Sequence, residues 1–385
     1  MNILVVCDYG LYLSFSDSFV HAQTVAYVAL GHRVRVIVHT AVGKRDWDGN
    51  RFSGSIQCRN QDGVEIYFMR HLSLSNYGRR HGINRACAIQ VLLRHADKLL
   101  EGFVPDIIHA HMLGTDSEIG AWLKVHLGVP LVVTSHGSDT SVPIEQGRGA
   151  QLRSYCDKAD TIVAVSSVLA GKIQSCGTTV SVSSILNGFH IHNLPEGETT
   201  RVLSLAQVGN LTRQKRPQIT LRAFARLLEA HPEAVLTFIG QGPERDSLEK
   251  MSRELGISGS VRFLGQIPNA DVLAELAKAR FFVLPSVREG FGIVYLEAMA
   301  SGCITIGTEG EGIADLIVSG ENGFLVPPEN PNAIVRTVEW CLEHLDEAFD
   351  IAERGQKDAL ELTWEKNAAE YIQLFESLTG RKQDQ

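Results

Sequence analysis

The sequence predicts an α/β fold built as two doubly wound halves. Short apolar, β-branched runs alternate with longer stretches of helical spacing from end to end. The runs are apolar along their whole length, as strands are when helices cover both faces of a parallel sheet. The alternation also restarts once, after the polar stretch Asn193-Leu-Pro-Glu-Gly-Glu-Thr-Thr200, which has no apolar period. In the first half, strands are predicted at Ile3 to Cys7, Val34 to Val38, Ile107 to His109, Leu131 to Thr134 and Thr161 to Val165. Gly31-His32 stops the helix before the second of these, and Asp106 and Pro130 stand just ahead of later ones. In the second half they fall at Leu203 to Val208, Val235 to Ile239, Val261 to Leu264, Phe281 to Leu284 and Cys303 to Gly307. The boundary is placed near residue 195, giving domains 1–194 and 195–363. The last segment, from Trp364 to about residue 380, has helical apolar spacing and is expected to pack back on the first domain. Open sheets of this kind bind ligands beyond the carboxyl ends of their strands, so functional residues are expected just after strands, in a cleft between the halves.

Composition narrows the function. The chain has 385 residues, 44% hydrophobic and 21% charged, which are globular values and enough for two domains. A net charge of -8 argues against a nucleic-acid ligand. The first 190 residues carry 17 Lys and Arg against 15 Asp and Glu and the rest 19 against 29, so only the first half suits an anionic surface. Seven scattered cysteines without a C-x-x-C pair fit neither a disulfide framework nor a zinc knuckle. The opening run reaches Asp8 after five apolar residues, too short for a signal peptide. No run approaches the roughly 20 apolar residues of a membrane span, so the expected compartment is the cytoplasm.

The densest chemistry lies in Leu284-Pro-Ser-Val-Arg-Glu289-Gly-Phe-Gly-Ile-Val-Tyr-Leu-Glu297-Ala-Met-Ala-Ser-Gly-Cys303. A strand ends at Leu284, a turn carries Glu289, Gly290 and Gly292, and a helix begins near Gly292. Free amides at such a helix start, beside glycines that admit close approach, form an anion site suited to a diphosphate. Glu289 in the turn and Glu297 on the helix would then stand at a sugar and at a ribose.

In that context Glu289-x7-Glu297 resembles the signature of the retaining glycosyltransferases of family 4, whose GT-B fold has two Rossmann-like doubly wound domains facing across a cleft. Further landmarks agree in order: Gly31-His32, Pro105-Asp-Ile-Ile-His109-Ala-His111, Thr134-Ser-His136-Gly137, Leu186-Asn187-Gly188, Val208-Gly209-Asn-Leu-Thr-Arg-Gln-Lys215, Gly240-Gln-Gly242, Phe263-Leu-Gly265 and Glu321-Asn-Gly323. The resemblance implies that Glu289 contacts the donor sugar and that the amides of Gly290, Phe291, Gly292 and Ile293 help bind sugar and phosphate. Glu297 would bind the nucleotide ribose, Lys215 would face the diphosphate, and His136 would lie near the reacting sugar. Asn210, directly after Gly209, stands where the family usually has arginine, which leaves Arg213 as a substitute second cation.

The implied function is transfer of a hexose-type sugar, with retention, from a UDP- or GDP-linked donor to a glycan or lipid-linked acceptor. The first domain would hold the acceptor and the second the donor. No metal or other cofactor is expected, and front-side attack is favoured, the departing phosphate oxygen taking the acceptor's proton. Gly10 in the first loop, Asp139, Arg79 and Arg80 are candidate acceptor contacts. The basic stretch 70–98, with Asp97 its one acidic residue, suggests peripheral contact with the inner face of a membrane. His109 and His111 share a strand end but have no readable third metal ligand, and Asp46-Trp47-Asp48 reads as a surface loop. Alternatives are a nucleotide-sugar epimerase of the same fold and transfer to a soluble small molecule. A nicotinamide oxidoreductase is disfavoured, because Arg245 occupies the third glycine's place after Gly240 and Gly242.

Overall fold

The computed structural model describes residues 1–8, 18–42, 56–72, 83–190 and 203–380. The chain divides into two compact units, Met1–Gly188 with Trp364–Gln385, and Phe189–Thr363.

The first unit runs β1 (Asn2–Asp8), α1 (Phe19–Ala29), β2 (Arg33–Val42), β3 (Gln57–Gln61), β4 (Val64–Leu72), α2 (Ile83–Leu100), β5 (Ile107–His111), α3 (Thr115–Leu127), β6 (Leu131–Ser135), α4 (Ser138–Glu145), α5 (Gly149–Cys156), β7 (Thr161–Ala164), α6 (Ser167–Gln174) and β8 (Ser181–Ser184). Its sheet has the order β3-β4-β2-β1-β5-β6-β7-β8, parallel throughout except for β3 against β4. β5, β6 and β7 are buried along their length, which is why they read as continuous apolar runs. The order reverses at β1 and β5, so the carboxyl ends of these two strands mark the position where an open α/β sheet leaves room for a ligand.

The second unit runs β9 (Ser204–Val208), a 3-10 turn at Arg213–Lys215, α7 (Pro217–Ala230), β10 (Val235–Ile239), α8 (Arg245–Glu254), β11 (Val261–Gly265), α9 (Asn269–Lys278), β12 (Phe281–Val283), α10 (Ile293–Ala300), β13 (Ile304–Thr308), β14 (Phe324–Val326), α11 (Pro331–Glu343) and α12 (Leu345–Leu360). Its all-parallel order β11-β10-β9-β12-β13-β14 has its reversal between β9 and β12. Leu205, Phe238, Phe281, Val283, Ile304 and Ile306 form the sheet side of a core closed by helices such as α7, which buries Ile219, Phe224 and Leu227.

The last helix, α13 (Trp364–Thr379), belongs to the first unit. Its buried residues Trp364, Asn367, Ala368, Tyr371, Ile372 and Phe375 follow the three- and four-residue steps of one helix face. Phe375 lies 5.8 Å from Tyr27 of α1, ring to ring, and Asn367 joins α1 through a 2.7 Å bond from Gln23 Nε2.

Four strands escaped the sequence reading. β3 is fully exposed and β8 is mostly serine, so neither carries an apolar run, and β14, Phe324-Leu325-Val326, is apolar but only three residues long. β4 is tied to β3 by Asp62-Gly63, whose φ values of 52° and 79° suit a tight hairpin; the Asp-Gly pair was the available signal.

Candidate active site

In the second unit, the loops following β9 and β12 meet at the reversal of the sheet. Val287 N donates to Gln214 O at 2.9 Å, and Gln214 Nε2 donates to Arg288 O at 3.1 Å. Gln207 Nε2 holds the Lys215 carbonyl at 2.9 Å. This stitching brings Lys215 Nζ to 2.5 Å from Glu289 Oε2, with only 18% and 13% of the two side chains exposed. The turn is shaped by two left-handed residues, Arg288 (φ 62°) and Gly292 (φ 85°). A side chain at Gly292 would also collide with the Tyr295 ring, 2.8 Å from where its Cβ would stand.

Glu311 supports the turn from the loop after β13, its Oε2 accepting from Glu289 N at 2.9 Å. The neighbouring Gly312 approaches so closely that a Cβ there would lie 1.9 Å from Gly290 O. Phe291 is buried at 1% exposure, so what this stretch offers a ligand is backbone. Glu297 lies in the second turn of α10 and accepts from Asn269 Nδ2, at the start of α9, at 2.8 Å. The amides at the start of α10 and the Lys215 ammonium therefore flank one carboxylate-bearing turn, an arrangement able to hold an anion next to a hydroxyl-rich ligand.

Among the other donor-side candidates, Gly209 (φ 133°) follows β9 and has the Lys215 side chain beside it. Asn210 is exposed, and Ile293 opens α10. The Arg213 side chain is 87% exposed and faces Glu244 at 3.5 Å. Gly240 and Gly242 have a packing reason, since Cβ atoms there would stand 2.2 Å from Gly209 O and 2.3 Å from Leu211 O.

The first unit gathers polar residues at the carboxyl ends of β1, β2, β4, β5 and β6. His136, just past β6, receives or gives a 3.0 Å bond between its Nε2 and His111 Nδ1, and its ring lies 4.6 Å from that of Phe19. His109 bonds Thr134 Oγ1 at 2.8 Å, and that hydroxyl meets Tyr371 OH of α13 at 2.8 Å. Asp139 is a structural carboxylate here. It accepts from the amides of Leu113 (2.8 Å), His136 (3.1 Å) and Gly137 (2.9 Å) and from Ser135 Oγ (3.0 Å), which holds the His136 loop and leaves it 8% exposed.

A second group, which sequence reasoning missed, joins His39 of β2 to Asp116 in the first turn of α3 at 2.5 Å and to His71 of β4 at 3.3 Å. Asp116 also accepts from Asp8 N at 3.3 Å. Only Asp116, an acidic residue in the first turn of a helix, had a readable signal.

Burial sets the protonation of these groups. Desolvation lowers His109 and His136 to about 3 and His111 well below its ordinary value. Burial raises Asp116 to about 6, against the pull of His39. For His39 burial is the largest single influence and lowers it, but the charge and hydrogen bond of Asp116 together with the charge of Asp8 outweigh burial and raise it. A histidine held neutral by folding takes up its proton only on unfolding, so below about pH 6.5 each favours the unfolded chain, up to about 1.4 kcal/mol per pH unit. Asp116 works oppositely between about pH 4 and 6, binding its proton in the folded state. His39 and Asp139, both raised, side with Asp116, but near pH 5 the three lowered histidines outweigh them, and unfolding is expected to become easier as the pH falls from 7 to 5. Urea midpoints that rise between pH 7 and pH 5 would contradict this.

Comparisons with known proteins agree with these two units. The family model described as Glycosyltransferase Family 4 matches residues 18–192, and that described as Glycosyl transferases group 1 matches residues 195–358. The chain belongs to the family 4 glycosyltransferases. The D-inositol 3-phosphate glycosyltransferase of Corynebacterium urealyticum is 33% identical over 178 residues, 44% of this chain and 42% of that one. The chain thus spans less than half the length of that relative. Among solved structures, sucrose-phosphate synthase from Thermosynechococcus elongatus has a TM-score of 0.79 at 20% identity, covering 99% of each chain. Anabaena HepE in complex with UDP and glucose has a TM-score of 0.75 at 19% identity, covering 98% of this chain and 100% of its own. The fold of this family 4 glycosyltransferase is therefore GT-B.

Three expected contact residues of this glycosyltransferase, Gly10, Arg79 and Arg80, lie outside the described residues, as do Asp46 and Asp48. The described part of the basic stretch includes Arg94 and Lys98, both exposed on α2. Among the described residues no helix is long and apolar enough to cross a membrane, and no group of three or more His, Cys, Asp and Glu could hold a metal ion.

Proposed function

We propose that this glycosyltransferase moves a hexose from a UDP- or GDP-linked donor to an acceptor hydroxyl with retention of anomeric configuration. The observation that carries the reading is the Lys215–Glu289 pair, held where the carboxyl ends of β9 and β12 diverge, beside the start of α10. Without donor, the ammonium and carboxylate neutralise each other. A diphosphate would take over Lys215 and the amides at Gly292 and Ile293, freeing Glu289 to accept from sugar hydroxyls. Glu297, oriented by Asn269, would bind the ribose.

Negative charge grows on the departing diphosphate as the sugar bond breaks. Lys215 and the helix dipole supply the opposing field in place, so the reading needs no metal ion. The first unit would hold the acceptor, with His136 towards the sugar. HepE's complex with UDP and glucose supports a UDP-hexose donor. A glycan or lipid-linked acceptor, reached at the cytoplasmic face of a membrane through the basic stretch 70–98, is the primary reading. The relative named for D-inositol 3-phosphate favours a second one, a soluble polyol phosphate.

Incubation with UDP- and GDP-hexoses and either class of acceptor, followed by NMR of the product's anomeric centre, tests this. The expected product keeps the donor's α or β configuration. Inversion, or an epimerised donor formed without acceptor, would overturn the proposal.

A further inference from the structure

We infer that His111 is a positioning residue that holds His136 as the Nδ1–H tautomer, so that His136 presents a hydrogen-bond donor to its ligand. The inference deepens the proposed function and rests on its reading of His136 as the sugar-side residue. His111 ends β5 and is 1% exposed; its Nδ1 lies 3.0 Å from His136 Nε2. The two ring planes are only 15° apart, with centroids 5.3 Å apart. That separation exceeds the N···N distance by about two ring radii, so the rings lie nearly edge to edge and the bond runs along an in-plane lone pair.

Both rings are kept neutral by burial, so each carries one N–H, and a single proton lies between them. Two arrangements exist. If His136 Nε2–H donates, the proton of His111 moves to its own Nε2. That atom is buried and has no hydrogen-bond partner among the described residues. It would be an orphaned buried donor, one of the rarest and costliest polar defects. If His111 Nδ1–H donates instead, the orphan is only an acceptor lone pair, and His136 carries its proton on Nδ1.

His136 Nδ1 makes no hydrogen bond to any described residue, and the residue is partly exposed. The open position is therefore an N–H. It suits an oxygen lone pair on a sugar hydroxyl or phosphate and cannot remove a proton from an acceptor. The surroundings hold this pair in place: the His136 amide is tied to Asp139, and Met112, directly after His111, is fixed at φ 74° with its amide on Thr134 O at 2.7 Å.

Long-range proton–nitrogen NMR of the full-length protein, labelled with 15N-histidine, reads the tautomer directly, with His136 assigned by its loss in His136→Gln. The expected spectrum shows His136 protonated at Nδ1; protonation at Nε2 overturns the inference. His111→Asn keeps an N–H donor near the Nδ1 position and is expected to retain kcat within about threefold. His111→Asp offers only an acceptor and should reverse the tautomer. Its kcat is expected to fall about tenfold to a hundredfold, as when an outer partner that orients a working histidine is lost, with donor KM little changed. In His111→Asp the lost activity should partly return on acidification, because the new carboxylate favours protonated His136, which again carries an N–H at Nδ1.

Equal losses in His111→Asn and His111→Asp with matching falls in thermal stability would make His111 merely structural and overturn the proposal. Full activity in His136→Gln would instead overturn the reading of His136, and with it the functional half of this inference. The tautomer measurement decides the structural half independently.

Discussion

Lys215→Ala is expected to lower kcat/KM by about 2 to 4 kcal/mol, roughly 30- to 1,000-fold, the cost of removing one pre-placed positive group from a developing oxyanion. The ammonium sits after β9, beside the turn that carries Glu289, and its Nζ is 2.5 Å from that carboxylate. Deleting it leaves Glu289, 13% exposed, without its ion partner, so part of any activity loss must be separated from instability. Lys215→Arg provides the control, since it keeps the charge while altering its geometry, and it should recover stability more fully than turnover. Activity of the unaltered protein should survive EDTA. Loss in EDTA with restoration by Mn²⁺ or Mg²⁺ would defeat the metal-free reading, and near-normal kcat/KM in a stable Lys215→Ala protein would defeat the role of Lys215.

Glu289→Gln is expected to separate binding from turnover. The amide keeps the size of the side chain and its hydrogen-bonding reach but loses the charge that neutralises Lys215. Free nucleoside diphosphate should therefore bind at least as tightly as to the parent, because the phosphates no longer displace a carboxylate from the ammonium. Turnover should fall by about a hundredfold or more, since the carboxylate's attraction for a sugar gaining positive character is gone. Calorimetry with the nucleoside diphosphate, alongside kcat under saturating donor, checks both halves. Weaker nucleotide binding with unchanged kcat would show that Glu289 shapes the turn and does not act on the sugar.

Much of the site was readable because the chemistry is local in sequence. Glu289, Gly290, Gly292 and Glu297 share one turn and the helix after it, and glycines at a strand-to-helix junction announce close approach of backbone to ligand. The same locality could not show the surroundings of Asp139. As a bare carboxylate near His136 it looked like an acceptor contact, yet three backbone amides and a serine hydroxyl converge on it. For Arg213, proximity to Lys215 in sequence says nothing of direction, and on the 3-10 turn at Arg213–Lys215 its side chain is 87% exposed and faces Glu244.

What the sequence by itself determined is the layer architecture and the position of the glycine-rich turn that carries Glu289, because apolar periodicity and glycine placement act over a few residues. It already carried continuous apolar strands, a second start after residue 200 and the helical spacing of Trp364 to Phe375. Only the tertiary structure decided which charges and rings meet: Lys215 with Glu289, Glu311 with the Glu289 amide, His111 with His136, and His39 with Asp116. Each of these contacts joins different strands or the segments that follow them. Its existence depends on strand order and register, which are settled by burial of the whole sheet and leave no local trace in the sequence.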